Sequence, residues 1–218
     1  AKLLPKQPKA RERVVHQPSM PWRRIPDFIV DHLRSSKLNV SRTMLEFLIL
    51  TAARSGEVRA MVWSEVDLDA RVWTVPAERM KAKTEHRVPL SGRAVQILTA
   101  QKTANAHATL VFPSPGGSVP SDMILTKFLR DHNVESSEPG RIATAHGMRS
   151  SFRNWASENG YSRDLAERAL AHTIRNQTEA AYHTTDLLEQ RRNMMEAWSL
   201  FVCGIETNDG KIVSISGY

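Results

Sequence analysis

The sequence predicts an α+β protein, mainly helical, with a small antiparallel sheet of about three strands. Three observations predict it. Apolar residues recur at three- and four-residue spacing through several long stretches. From Val62 the pattern changes to short Val- and Trp-rich runs broken by turn residues. Ser, Gly and Pro fall where the helical stretches would start and stop. With 218 residues, 41% of them hydrophobic, the chain suits one domain with a well-developed core, or one domain and a tail.

Taken in order, residues 1–24 carry Pro5, Pro8, Pro18 and Pro21 among charges, with little periodicity, and read as a linker or arm. Near Pro26 a helix can begin, with Phe28, Ile29 and Leu33 at helical spacing, running to about Ser35. Ser41 is a candidate N-cap for the next helix, whose Leu45, Leu48, Ile49 and Ala52 form an apolar stripe and which Gly56 can interrupt. The sheet follows, broken at residues 67–70 and 83–85, with Lys81 on its second strand or at the turn. Ser91 caps a helix through about Ala104, and "TLVF" is a short strand leading into a loop. Pro120 or Ser121 opens a helix to about Asp131. "TAHGMRSSFRNWASENG" is a helix that Gly160 terminates, and Ser162 caps "RDLAERALAH". Residues 178–202 continue helical in one or two pieces, and "KIVSIS" is a lone strand that needs an edge to pair with.

Composition excludes several classes. No run approaches the roughly 18 to 20 apolar residues of a membrane span. The charges in "AKLLPKQPKARERVV" stand where a secretion signal would have its apolar run. Cys203 is the single cysteine, so an internal disulfide or a Cys-rich metal site is excluded, and a reducing cytoplasm fits. The first residue is Ala1 rather than Met, and the chain is read as a fragment of a longer protein. The net charge of +7 points to a polyanionic partner, and its distribution matters more. Lys2, Lys6, Lys9, Arg11, Arg13, Arg23 and Arg24 stand against Glu12 alone, a net of +6, which leaves about +1 for the other 194 residues. These seven cations are the expected DNA contacts of the arm.

Chemistry-bearing residues lie far apart in the chain. In "TAARSGEVRAM", Arg54 ends an apolar helix with Glu57 three residues on; alone, the pair is a surface ion pair contributing a few tenths of a kcal/mol. In "RMKAKTEHRVP", Lys81 and Lys83 are near a hairpin tip, where a lysine is most often a solvated turn charge. In "AHGMRSSFRNW", His146 and Arg149 share a helix face, with Phe152, Trp155 and Ala156 continuing towards the core. His172 suits a helix C-terminus through the dipole, and Tyr182 suits half-buried packing.

In order, however, Arg54, Lys81, His146-x-x-Arg149, His172 and Tyr182 resemble the signature of the tyrosine recombinases, the phage integrase family. The surroundings resemble it too. "TAARSGEVRAM-W-EVD" is similar to the family's first box and "MKAKTEHRVPLS" to its lysine hairpin. "HGMRSSFRNWASENG" is similar to the second box, and "LAHTIRNQTEAAYHTTDLLEQRRNMMEAW" to the terminal box of integrases from prophages and genomic islands that insert at tRNA genes. The resemblance covers roughly residues 25–200.

The resemblance implies a tyrosine-recombinase-like catalytic domain over residues 25–218, preceded by the basic arm at 1–24. It implies site-specific recombination, integration or excision of a mobile element, through a 3′-phosphotyrosyl intermediate without cofactor or metal. Arg54 and Arg149 would clamp the phosphate with paired N–H bonds. Lys81, nearer the expected position than Lys83, would protonate the leaving 5′-oxygen. His146 would act as general acid/base or phosphate contact, and His172 as a further donor. Glu57 would hold Arg54 or His146, and Tyr182 would be the nucleophile. The implied partners are double-stranded DNA attachment sites, other protomers in a synaptic tetramer, and excisionase or DNA-bending host factors, in a bacterial cytoplasm at the nucleoid. Relatives carry a DNA-binding region ahead of this domain, so recombination of a whole site is not expected from this chain alone. Two other readings stay open: DNA relaxation of the type IB topoisomerase kind, and a non-catalytic basic DNA-binding domain.

Overall fold

The computed structural model describes residues 17–34, 39–104, 107–172 and 185–205, and the backbone of 207–208 and 211–212. At the centre lies a helix, α2 (Val40–Thr51), in which residues 44–51 are all buried. Burial extends past the apolar stripe to Glu46 and Thr51, as befits an element surrounded by others. The cap is Asn39 and not the expected Ser41: the Asn39 Oδ1 accepts the Arg42 N–H at 3.0 Å. Nor does Gly56 end the helix. The chain turns out of it at Ala52, which takes a left-handed backbone (φ 50°), and Gly56 is inside a new short helix, α3 (Ser55–Arg59).

Ahead of α2, the expected helix near Pro26 begins as α1 (Ile25–Phe28) and widens into a π-helical segment, Ile29–Arg34, burying Ile25, Phe28, Ile29 and Leu33. Buried Glu46 locks this segment to α2 and α4 (Gly92–Ala104), accepting Arg34 Nε at 3.0 Å and Arg93 Nε at 2.8 Å. Burial alone would raise the Glu46 carboxyl above its ordinary range; the hydrogen bonds from Arg93 and Arg34 outweigh it and hold it below.

The sheet has the expected three antiparallel strands, β1 (Val66–Asp67), β2 (Val72–Val75) and β3 (His86–Pro89), in the order β1-β2-β3. Trp73 faces Val88 and Val75 faces His86 across the β2–β3 pair. Trp73 packs on Phe47 of α2, ring centroids 5.8 Å apart. Between β2 and β3 the chain makes a 3-10 turn, Ala77–Arg79, and then an exposed turn that carries Lys81. Arg79 donates to the Glu65 carboxylate and to the Glu57 carbonyl, tying this connection to α3.

Ser91 caps α4 as expected, its Oγ accepting the Ala94 N–H at 3.4 Å. "TLVF" makes a single bridge, Val62 to Leu110, rather than a strand. Beyond it come α5 (Ile124–Asp131), α6 (Gly147–Glu158), α7 (Arg163–Ala169) and α8 (Leu188–Val202). Ser162 caps α7, accepting the Leu165 N–H at 3.2 Å. Trp198 of α8 is fully buried, packs on Phe152, Trp155 and Phe201, and donates to the Ile49 carbonyl at 2.8 Å. The final strand finds its partner nearby: β4 (Thr207–Asn208) pairs with β5 (Lys211–Ile212).

Residues 18–22 pack against this body. Pro18 O accepts the Thr144 N–H at 3.0 Å, Met20 is buried, and the Trp22 ring meets Phe201 edge-on at 5.1 Å. The approach to α6 is so close that a Cβ on Gly147 would lie 1.9 Å from Pro18 O. Among the described residues no helix is long and apolar enough to cross a membrane.

Candidate active site

Five of the sequence-selected residues, Arg54, Glu57, His146, Arg149 and His172, meet where α2 ends, α3 and α6 begin and α7 ends. Arg54 precedes α3, and its backbone N–H donates to Glu57 Oε2 at 2.9 Å while its Nη1 donates to Oε1 at 2.7 Å. Glu57 is 5% exposed, so this is an enclosed pair and not a surface one. The other Arg54 nitrogen, Nη2, reaches Ala171 O at 3.0 Å, just past α7.

Arg149 comes from the first turn of α6 and is buried. It has carbonyl partners where a carboxylate might be expected: Nη1 donates to Ala52 O and Nη2 to Leu170 O at 2.6 Å. These oxygens cap the C-termini of α2 and α7, where unpaired carbonyls carry partial negative charge and stabilise a cation. Burial, reinforced by neighbouring Arg54, pushes the guanidinium down to about 10, so it stays charged at neutral pH. Its Nε is buried with no hydrogen-bond partner among the described residues.

His172 lies past the left-handed Ala171 (φ 48°), which folds its ring back over α7. Nε2 faces Arg149 Nη2 at 3.3 Å and Nδ1 faces Glu167 Oε2 at 2.6 Å. His146, at the N-cap of α6, is held below its ordinary range by partial burial and then by the charges of Arg149, Arg54, His172 and Lys81. It is therefore neutral at pH 7. Lys81 stands exposed in the β2–β3 connection, within electrostatic reach of His146. Lys83 instead turns back on its own loop, its Nζ 3.4 Å from Glu78 O. A cleft of about 470 Å³ opens beside these groups, lined by His146, Arg149 and His172, with Ser150, Arg153 and Asn154 farther along α6.

Sequence reasoning missed three residues here. Glu167 and Arg153, joined at 2.7 Å, flank His172; their spacing to it matches no helical repeat. His86 on β3 hydrogen-bonds the Ala169 backbone, and burial, with Arg191 next, pushes it down to about 4. Tyr182, Lys2, Lys6, Lys9, Arg11 and Arg13 lie outside the described residues. Arg23 and Arg24 form exposed ion pairs with Glu158 at 2.8 Å and Glu135 at 3.3 Å. Among the described residues no group of three or more His, Cys, Asp or Glu is placed to hold a metal ion.

Comparison with known proteins gives consistent findings. Residues 26–187 match the model of the phage integrase family. The integrase of Enterobacteria phage P4 is 31% identical over 220 residues, covering 92% of this chain and 48% of the relative. Prophage integrase IntZ of Escherichia coli is 35% identical over 204 residues, covering 93% of this chain and 49% of the relative. This chain thus spans about half the length of these curated relatives. Among solved structures, a lambda integrase dimer bound to a COC′ core site superposes with a TM-score of 0.56 at 20% identity, over 80% of this chain and 62% of that one.

Proposed function

The chain belongs to the phage integrase family, and from that premise we propose that it is the catalytic domain of a tyrosine-type site-specific DNA recombinase. The observation that carries the reading is the pairing of Arg54 and Arg149 against the carbonyls of residues 170–171, beside a cleft edged by two histidines. Two adjacent guanidiniums repel one another and are costly to bury. Helix-end carbonyls offset that cost here, and a phosphodiester in the cleft would complete the compensation.

The roles are those the family resemblance implies, and the closeness of Arg54, Arg149, His146 and His172 supports them. Arg54 and Arg149 clamp the scissile phosphate, with Glu57 fixing Arg54, and His172 donates a further hydrogen bond. His146, kept neutral by partial burial and then by the cations around it, accepts the phenolic proton of Tyr182. The tyrosine oxygen bonds to phosphorus, the bond to the 5′-oxygen breaks, and Lys81 protonates that oxygen. Religation reverses these steps on a partner strand. The arm cations Lys2, Lys6, Lys9, Arg11 and Arg13, with Arg23 and Arg24, track flanking phosphates. The solved lambda integrase is a dimer on DNA, and we extend that arrangement to this chain: double-stranded attachment sites held by several protomers, with accessory DNA-bending or excision factors.

The test is covalent capture. A nicked duplex, selected from a random-sequence pool for attachment to the unmodified chain, should form an adduct that survives denaturation. Tyr182→Phe removes only the hydroxyl, so it should abolish the adduct and leave non-covalent binding nearly intact. An undiminished adduct in that variant would overturn the nucleophile assignment.

A further inference from the structure

Glu167 has no part in the roles above, yet it makes the shortest contact in the site that reaches a histidine. Its Oε2 is 2.6 Å from His172 Nδ1, while its Oε1 accepts Arg153 Nε at 2.7 Å. The carboxylate is thus held from two sides, by α6 through Arg153 and by the folded-back end of α7 through His172. Burial alone would raise the Glu167 carboxyl; the Arg153 and His172 hydrogen bonds outweigh it, so it stays ionised.

We propose that Glu167 is a positioning residue for the cleavage reaction, orienting His172 so that its Nε2 meets the scissile phosphate. The inference rests on the reading of His172 as a phosphate contact. The chemistry is that of a histidine with a fixed back face. With Nδ1–H donated to Glu167, the ring cannot rotate or exchange its nitrogens, and Nε2 is directed at the cleft. Nε2 faces Arg149 Nη2 at 3.3 Å, and because a guanidinium only donates, Nε2 is the acceptor there. A phosphate oxygen at the same place needs a donor, a role Nε2 fills only in the doubly protonated ring. Glu167, in contact with the ring, supplies the anion that favours that form. Arg153 secures the carboxylate in turn.

A double-mutant cycle in single-turnover cleavage separates this role from a merely structural one. The probe is a nicked duplex selected for covalent capture by the unmodified chain, with binding and thermal melting measured in parallel. Glu167→Ala should slow cleavage by about ten- to a hundredfold, by analogy with losing the carboxylate that orients a metal-bound histidine. Its DNA affinity should change little. In a His172→Ala background the same substitution should add no further loss. Glu167→Asp, which keeps the charge on a shorter arm, should recover part of the rate. If Glu167→Ala unfolds the chain, the isosteric Glu167→Gln carries the same cycle. Equal losses in both backgrounds, or an unchanged rate in the single variant, would overturn the proposal. A normal rate in His172→Ala alone would instead overturn the reading of His172 as a phosphate contact.

Discussion

At the scale of single residues, Arg149 binds two carbonyls and a histidine through fixed N–H directions. A lysine there keeps the charge and loses the fork. Arg149→Lys should lower cleavage by about two to three orders of magnitude, as for removal of a preorganised donor at a reacting oxyanion. It should also cost about 1–3 kcal/mol of stability, because the Ala52 and Leu170 carbonyls lose partners. Cleavage measured well below the melting temperature separates the two effects, and a normal rate would place Arg149 away from the phosphate. Arg54, Lys81, His146, Arg149 and His172 were selected from the sequence because their order and surroundings resemble a family signature, and the fold brings Arg54, His146, Arg149 and His172 together. Glu167 was not legible, since the left-handed Ala171 brings His172 back over a helix it has already left. Its closeness to His172 is a product of folding and leaves no periodic trace.

At the scale of elements, caps were legible only where one candidate stood alone. Ser91 and Ser162 cap α4 and α7 as read. Before α2, both Asn39 and Ser41 are good capping residues, and nothing local ranks them. The end of α2 was misplaced for a different reason. Ala52 takes a conformation that favours glycine, and its carbonyl is held by Arg149, far away in sequence. A tertiary contact overrode the local stop signal at Gly56. The junction at Gly147 gives a prediction with a reversed sign. In an ordinary helix, Gly→Ala stabilises by about 0.4–1 kcal/mol. Here the new Cβ would collide with the Pro18 backbone, so Gly147→Ala should lower the melting temperature and release residues 18–20 from α6. A raised melting temperature on thermal denaturation would show that this segment does not lie where we place it.

At the scale of the whole molecule, the leading 24 residues divide by what they do. The described part is anchored by Met20 and Trp22, whereas the cations Lys2, Lys6, Lys9, Arg11 and Arg13 precede it. Removing residues 1–16 should flatten the dependence of log affinity on log salt by roughly two to four units, at about 0.9 per phosphate contact, with little change in melting temperature. Removing residues 1–24 should also lower the melting temperature, because Met20 and Trp22 leave the core. An unchanged salt slope in the shorter deletion would remove the arm from DNA binding. The fold class and the three-stranded sheet were legible from periodicity and turn residues, but where the arm joins the body was not. Charge marks a solvated segment, and the few apolar anchors within it are too sparse to form a pattern. In the proposed reaction Arg54 and Arg149 clamp a phosphate that Tyr182 attacks. Its most direct test is peptide mapping of the DNA adduct trapped by the unmodified chain. Tyr182 should carry a nucleotide remnant joined through a 3′-phosphate; attachment at Tyr161, a 5′-linkage, or no adduct on any nicked duplex in the pool would contradict the proposed reaction.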